Sequence, residues 1–344
     1  MSAPLLSVEN LHVRFPAPRR SLLSPRQHVH AVRGVSFDLA EGRTLGLVGE
    51  SGSGKTTTAM AAIRLVEAQE GRSLLDGENL LALSAGAMRR RRRDVQVVFQ
   101  DPYSSLNPRE RVGAIVREPL DLMRPDMDRS ARDRRVRELF ALVGLRDDQL
   151  ALFPHQFSGG QRQRVSIARA LATNPRLVVC DEPVSALDVA IQAQILNLLR
   201  RLQDELGLAY LFISHDLGVV RHICDDVAVM YGGEIVERAT RRALFAGPRH
   251  PYTAALVDAA PSLARRKSRG VVHAAVVDGD PPSPLEVPPG CVFASRCPRR
   301  QPLCTRERPV LVPENHAVAC HFPLDGVPPG ATTANAAIRS APAA

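Results

Sequence analysis

The sequence predicts an α/β fold on a mostly parallel, covered sheet, with two antiparallel strands at its start, an inserted helical subdomain and a small cysteine-bearing C-terminal extension. Three observations predict it. Short apolar runs at 44–48, 95–99, 177–180, 210–214 and 227–231 are separated by long segments of helical spacing, as expected of strands buried on both faces and joined by helical crossovers. From Val112 to Leu171 the periodicity is helical throughout, with 129–143 strongly charged on one face, which places a helical subdomain at about 108–171. Before the first apolar run, LLSVENLHVRF alternates apolar and polar residues. The alternation resumes in HAVRGVSFDLAEG after a Pro- and Arg-rich insertion at 16–28, so these segments are expected to pair as antiparallel edge strands.

Length and composition agree with one large domain and an appendage. A chain of 344 residues with 44% hydrophobic content can bury a full α/β core. The first, spanning 1–255, is expected to bind nucleotide; 256–323 is the extension. Within the extension DGDPPSPLEVPPG cannot continue a helix, and the residues after it carry four of the six cysteines. Residues 324–344, rich in Ala, Pro, Gly and Thr, bury too little apolar surface to offset their ordering entropy and are expected to form a disordered tail. No stretch reaches the roughly 18 unbroken apolar residues of a membrane span, and the opening residues have no secretory pattern, which predicts a cytosolic chain. The net charge of +9 is spread along an Arg-rich chain, more often general solvation than a nucleic-acid surface. Arg89 to Arg93 are expected to form a solvated helical face, and no nucleic-acid partner is expected.

The chemistry starts at Gly49-Glu50-Ser51-Gly52-Ser53-Gly54-Lys55-Thr56, between the strand TLGLV and a helical segment. That is the setting of a phosphate-binding loop. Gly49, Gly52 and Gly54, with Ser53, let backbone N–H groups turn inward around phosphate oxygens, and a helix N-terminus adds its dipole. Lys55 is placed to meet the β- and γ-phosphates and Thr56 to ligate Mg²⁺. A second constellation, LVVCDEP, ends a buried strand in Asp181 and Glu182. One acid can hold the Mg²⁺ shell while its neighbour polarises the attacking water. Phe15 is a candidate for stacking on adenine, against the commoner role of a strand Phe in a core.

With these, Phe157-Ser158-Gly159-Gly160-Gln161, Gln100 in VVFQDP, Ser185-Ala186-Leu187-Asp188 and His215 in FISHD resemble the motif set of ATP-binding cassette (ABC) proteins in order and spacing. The resemblance implies a P-loop NTPase fold with a RecA-like core, an antiparallel β subdomain and a helical subdomain. It implies that Ser158, Gly159, Gly160 and Gln161 serve ATP held by a second subunit. It also assigns Thr57 and Asp188 to the nucleotide, Gln100 to the metal-bound water and the transmembrane partner, and His215 to the γ-phosphate. VVFQDPYSSLNPR, CDEPVSALDVAIQAQILNLL, HPYTAAL and GCVFASRCP narrow the resemblance to the ATP-binding subunits of oligopeptide and dipeptide permeases, over residues 5–323. The implied partners are a second, related ATPase subunit, two transmembrane permease subunits and an extracytoplasmic substrate-binding protein, with this chain at the cytoplasmic face of the membrane. A soluble ABC protein acting on ribosomes or nucleic acid is the alternative. It would typically carry two cassettes or long coiled coils, whereas this chain has one phosphate loop and no sustained heptads.

Cys291, Cys297, Cys304 and Cys320 leave five, six and fifteen residues between successive cysteines. Four thiolates can ligate either an iron–sulfur cluster or zinc; the absence of a C-x₂-C knuckle favours a [4Fe–4S] cluster over Zn²⁺. Arg296, Arg299, Arg300, Arg306 and Arg308 are expected to offset the negative charge of such a centre. The segment lies far in sequence from every ATP motif, which suggests a structural or regulatory role.

Overall fold

The computed structural model describes residues 3–17, 27–259, 285, 287–312 and 314–324. Most of the insertion at 16–28, most of the Pro-rich stretch and the expected tail from 325 onward lie outside the described residues. The strands, in chain order, are β1 (Leu6–Pro16), β2 (His28–Leu39), β3 (Thr44–Val48), β4 (Glu70–Leu75), β5 (Glu78–Asn79), β6 (Val95–Val98), β7 (Leu177–Asp181), β8 (Ala209–Ser214), β9 (Asp226–Tyr231), β10 (Glu234–Thr240) and β11 (His316–Val318).

They form two sheets. The larger runs β11-β10-β9-β3-β8-β7-β6, with the five strands from β9 to β6 parallel and β10 and β11 antiparallel at one edge. The five apolar runs of the sequence are its five parallel strands. They read as continuous apolar runs because alternate residues enter two different cores. Val178, Cys180, Tyr210, Phe212, Val227 and Val229 face the core shared with the helical subdomain. Leu177, Val179, Ala209, Leu211, Ile213 and Ala228 face the other, with helix Lys55–Ala62 and the second sheet.

That second sheet, β2-β1-β4-β5, is antiparallel. It corrects one expectation: β1 is not an edge strand but lies between β2 and β4. EGRSLL is too short and too charged at its start to show alternation, so β4 was not legible in the sequence.

The helical region comprises Val112–Met123, Arg129–Leu142 and Gly159–Ala170. Asp128 caps the second by accepting from the Ala131 N–H at 2.7 Å. The basic run is not simply a solvated face: Arg91 pairs with Glu78 at 2.5 Å and Asp94 at 3.1 Å, and Arg92 donates to the carbonyls of Ile63 and Arg64. Two of the five arginines therefore tie the helix Ala85–Arg91 region to its neighbours.

The C-terminal segment is stitched into the main sheet. β11 extends it beside β10, with Glu237 opposite Val318. The Glu237 carboxylate, fully buried, accepts from the N–H groups of Arg249 and His250 at 2.7 and 2.8 Å and pairs with His316 Nε2 at 2.6 Å. Three groups around one buried charge compensate its desolvation. Phe293 packs its ring against Tyr231 (5.2 Å), Tyr252 (5.4 Å) and His250 (5.6 Å), so the HPY tripeptide and GCVF, separate in sequence, form one aromatic cluster.

Candidate nucleotide site

Strand β3, buried along its whole length, delivers the chain into the loop 49–54, and helix Lys55–Ala62 leads out of it. Gly49, Gly52 and Gly54 have φ of 151°, 80° and 95°, the left-handed side where a side chain is strained. At two of them space is also denied: a Cβ on Gly49 would come 2.2 Å from the Met230 carbonyl oxygen, and one on Gly54 2.4 Å from that of Ala31. The loop is thus pressed against β9 and β2, with Gly54 as the left-handed cap of the helix. Ser53 is buried, and Thr57, half-buried, lies in the first turn of the helix.

Lys55 is buried, and its Nζ donates to the carbonyls of Gly49 at 2.9 Å and Glu50 at 2.8 Å, curling the loop around its own ammonium. Burial pulls its pKa below the usual lysine value, while the carboxylates of Glu182, Asp181 and Glu50 oppose that pull. Thr56 Oγ1 donates to Asp181 Oδ1 at 2.8 Å, joining the first turn of the helix to the end of β7. Burial raises the Asp181 pKa, and the Thr56 bond works against it. A hydroxyl and a carboxylate oxygen in contact are a hard-oxygen donor pair of the kind Mg²⁺ takes, so the residues fit the ion the motif implies. Bound there, Mg²⁺ would neutralise phosphate charge.

Glu182 follows at the end of β7 with φ of 45°, a left-handed conformation that a non-glycine residue adopts at a cost of about 1–3 kcal/mol. Its N–H donates to the Ile213 carbonyl at 3.1 Å, and its own carbonyl accepts from Ser185, so both flanks fix the turn. The side chain reaches between two other motif residues: Gln100 Nε2 donates to Oε2 at 3.1 Å, and His215 Nδ1 lies 3.0 Å from Oε1. The fold brings together Gln100, Asp181, Glu182 and His215 with Lys55 and Thr56, from the ends of β3, β6, β7 and β8. These are the carboxyl ends of parallel strands, where an open α/β sheet places its ligands. Chemically, the arrangement offers a cation and backbone N–H groups for phosphate, a carboxylate–hydroxyl pair for a metal, and an oriented carboxylate to polarise water.

The 158–161 motif does not join this group. Ser158 caps its own helix, accepting from the Gln161 N–H at 3.3 Å while Gln161 Oε1 accepts from the Ser158 N–H at 2.9 Å. A Cβ on Gly160 would meet Ile191 Cγ2 at 2.5 Å, and one on Gly159 would meet Leu187 at 3.3 Å. These glycines let the helix pack against Val189–Leu206, which Asp188 caps through the Ile191 N–H at 3.0 Å. Phe15 stands opposite Val29 on β1 and is 40% exposed, so it is not a core residue.

Cys291, Cys297, Cys304 and Cys320 all line one small cavity with His250, Arg299 and Phe322. Burial, with a smaller push from the other three thiols, raises the Cys291 pKa to about 11. Among the described residues, however, no three His, Cys, Asp or Glu side chains stand in an arrangement that would hold a metal ion, so the expected cluster is not shown. The arginine expectation is corrected at two positions: Arg296 pairs with Glu50 and Arg308 with Glu234, so neither is spent on the cysteines. The proximity of Arg296 to the phosphate loop was not legible in the sequence, because 246 residues separate it from Glu50.

Comparison with known proteins places these features in a family. The ABC transporter family model matches residues 32–185, and the model for the C-terminal region of oligopeptide/dipeptide transporters matches 236–304. The oligopeptide transport ATP-binding protein OppF of Salmonella typhimurium is 46% identical over 323 residues, covering 92% of this chain and 95% of OppF. AppF of Bacillus subtilis is 48% identical, with 92% and 97% covered. The chain belongs to the oligopeptide/dipeptide group of ABC transporter ATP-binding subunits. It is an ATPase of that family. The dipeptide transport ATP-binding protein DppF of Escherichia coli is 44% identical over 325 residues, with 94% and 96% covered. Among solved structures, the ADP- and phosphate-bound dimer of the cassette MJ0796 is 29% identical with a TM-score of 0.61, covering 69% of this ABC subunit and 99% of that chain. CbiO1 of Clostridium perfringens, part of a CbiONQ transporter, is 26% identical with a TM-score of 0.62, covering 71% and 92%. No helix among the described residues of this subunit is long and apolar enough to cross a membrane.

Proposed function

We propose that this subunit is the ATP-hydrolysing motor of an importer for peptides or related small solutes. It works as one of two ATPase subunits on the cytoplasmic side of the membrane, with two transmembrane permease subunits and an extracytoplasmic substrate-binding protein. The observation that carries this reading is similarity along more than nine-tenths of the chain, including the C-terminal region, to subunits named for oligopeptide and dipeptide transport. Co-purification from its own membrane tests it. Two permease chains and a second ATPase are expected; recovery with ribosomes instead would overturn the reading.

The motif that stays apart supports the need for a partner subunit. With Ser158, Gly159, Gly160 and Gln161 closed on their own helix, the N-terminus of Gly159–Ala170 has no phosphate loop of this chain against it. A second cassette supplying that loop would place two helix ends on one triphosphate. Hydrolysis by the isolated chain should therefore rise more steeply than linearly with protein concentration, and a related second subunit should raise it further. A rate strictly proportional to concentration down to high dilution would contradict pairing.

The four cysteines are assigned to a metal centre, with [4Fe–4S] favoured over zinc. Support comes from the four cysteines lining one small cavity with His250. Anaerobic purification followed by iron, sulfide and zinc analysis checks it. A brown protein with iron and sulfide is expected; zinc alone would reverse the order, and no metal would reject the site.

A further inference from the structure

Arg296 sits between two of the clustered cysteines, yet its guanidinium is directed at the phosphate loop. Its side chain is only 8% exposed, and it grips the Glu50 carboxylate with both terminal nitrogens, Nη1 to Oε2 at 2.7 Å and Nη2 to Oε1 at 3.2 Å. Nη1 also donates to the Tyr231 hydroxyl at 3.1 Å. Every other polar group of Glu50 is engaged as well. Its N–H donates to the Tyr252 hydroxyl at 2.8 Å, and its carbonyl accepts from Lys55 Nζ and from the Ser53 N–H. Tyr231 and Tyr252 are held edge to face at 4.7 Å, and both lean on Phe293, whose carbonyl accepts from the Arg296 N–H at 3.1 Å. A loop residue is thus clamped at its N–H, carbonyl and carboxylate, and two of the three clamps belong to elements gathered around the C-terminal aromatic cluster.

We propose that Arg296 is a positioning residue for the phosphate loop, through which the cysteine-bearing segment sets the affinity of this ATPase for nucleotide. Two physical effects act together. A planar, bidentate fork fixes the orientation of Glu50, and with it the adjacent N–H groups that must face phosphate. The same fork neutralises a carboxylate that would otherwise stand uncompensated beside a polyanion. Lys55, which shares the Glu50 carbonyl, can leave that carbonyl for phosphate without the loop collapsing, because Arg296 and Tyr252 keep hold of the residue.

The inference rests on residues 49–56 being the phosphate loop, an assignment that Lys55→Ala tests separately. The experiment is titration of the full-length chain with a fluorescent ATP analogue, together with KM and kcat in the presence of its partner subunit. Arg296→Ala should weaken nucleotide binding about tenfold and raise KM more than it lowers kcat, as expected for loss of one charge-assisted pair. Arg296→Lys, which keeps charge but loses the fork, should fall between. Glu50→Gln should cost less than Arg296→Ala, and in the Arg296→Ala background it should recover affinity, because it removes the stranded carboxylate. Should Arg296→Ala not fold, the same cycle with Arg296→Lys and Glu50→Gln reads the coupling. Wild-type affinity in Arg296→Ala, or losses that multiply in the double variant, would overturn the proposal. A purely structural role would instead lower the fraction of active protein and leave KM unchanged.

Discussion

Replacing Glu182 by glutamine is expected to reduce steady-state ATP hydrolysis by about 10²–10⁴-fold, the range of a lost general base, while ATP still binds. The substitution preserves shape. A glutamine can still meet Gln100 and His215, whose contacts with Glu182 are 3.1 and 3.0 Å, but it cannot polarise water as a carboxylate does. The left-handed backbone at this residue, φ 45°, is retained, so the change isolates charge from position. Turnover assayed beside equilibrium nucleotide binding separates the two effects; a variant that binds ATP and turns it over at a near-normal rate would remove Glu182 from the chemistry.

Lys55→Ala is expected to act on binding itself, weakening ATP affinity by about a hundredfold, the scale of losing a charged hydrogen-bonding group from a phosphate site. Lys55 is buried, with its ammonium resting on the carbonyls of Gly49 and Glu50 and facing the carboxylates of Glu182, Asp181 and Glu50. Without it, Asp181 and Glu182 would confront the incoming phosphates with no cation from the loop. Nucleotide titration of the variant at saturating Mg²⁺ reads the loss directly, and unchanged affinity would show that the loop is not the phosphate site. The contrast between the two variants is diagnostic: one separates binding from turnover, and the other removes both.

The sequence by itself determined the parallel strands, the helical insertion and the candidate residues of the nucleotide site, because each rests on local order along the chain. Val178 and Val179 enter different cores, so a strand buried on both faces has no polar positions and shows as an unbroken apolar run. The phosphate loop is likewise local: three glycines in left-handed backbone within six residues, next to a lysine and a threonine. Only the tertiary structure decided which distant residues share a charge. The place of β1 inside a second sheet, the addition of β11 beside β10, and the grip of Arg296 on Glu50 are pairings across long stretches of chain, for which neither periodicity nor motif spacing carries a signal. Arg296 reads in sequence as one of several arginines among cysteines. Phe293 packs on Tyr231 and Tyr252, which docks its segment beside the loop and leaves Arg296, three residues on, within reach of Glu50, a contact between positions too far apart in the chain for local spacing to encode.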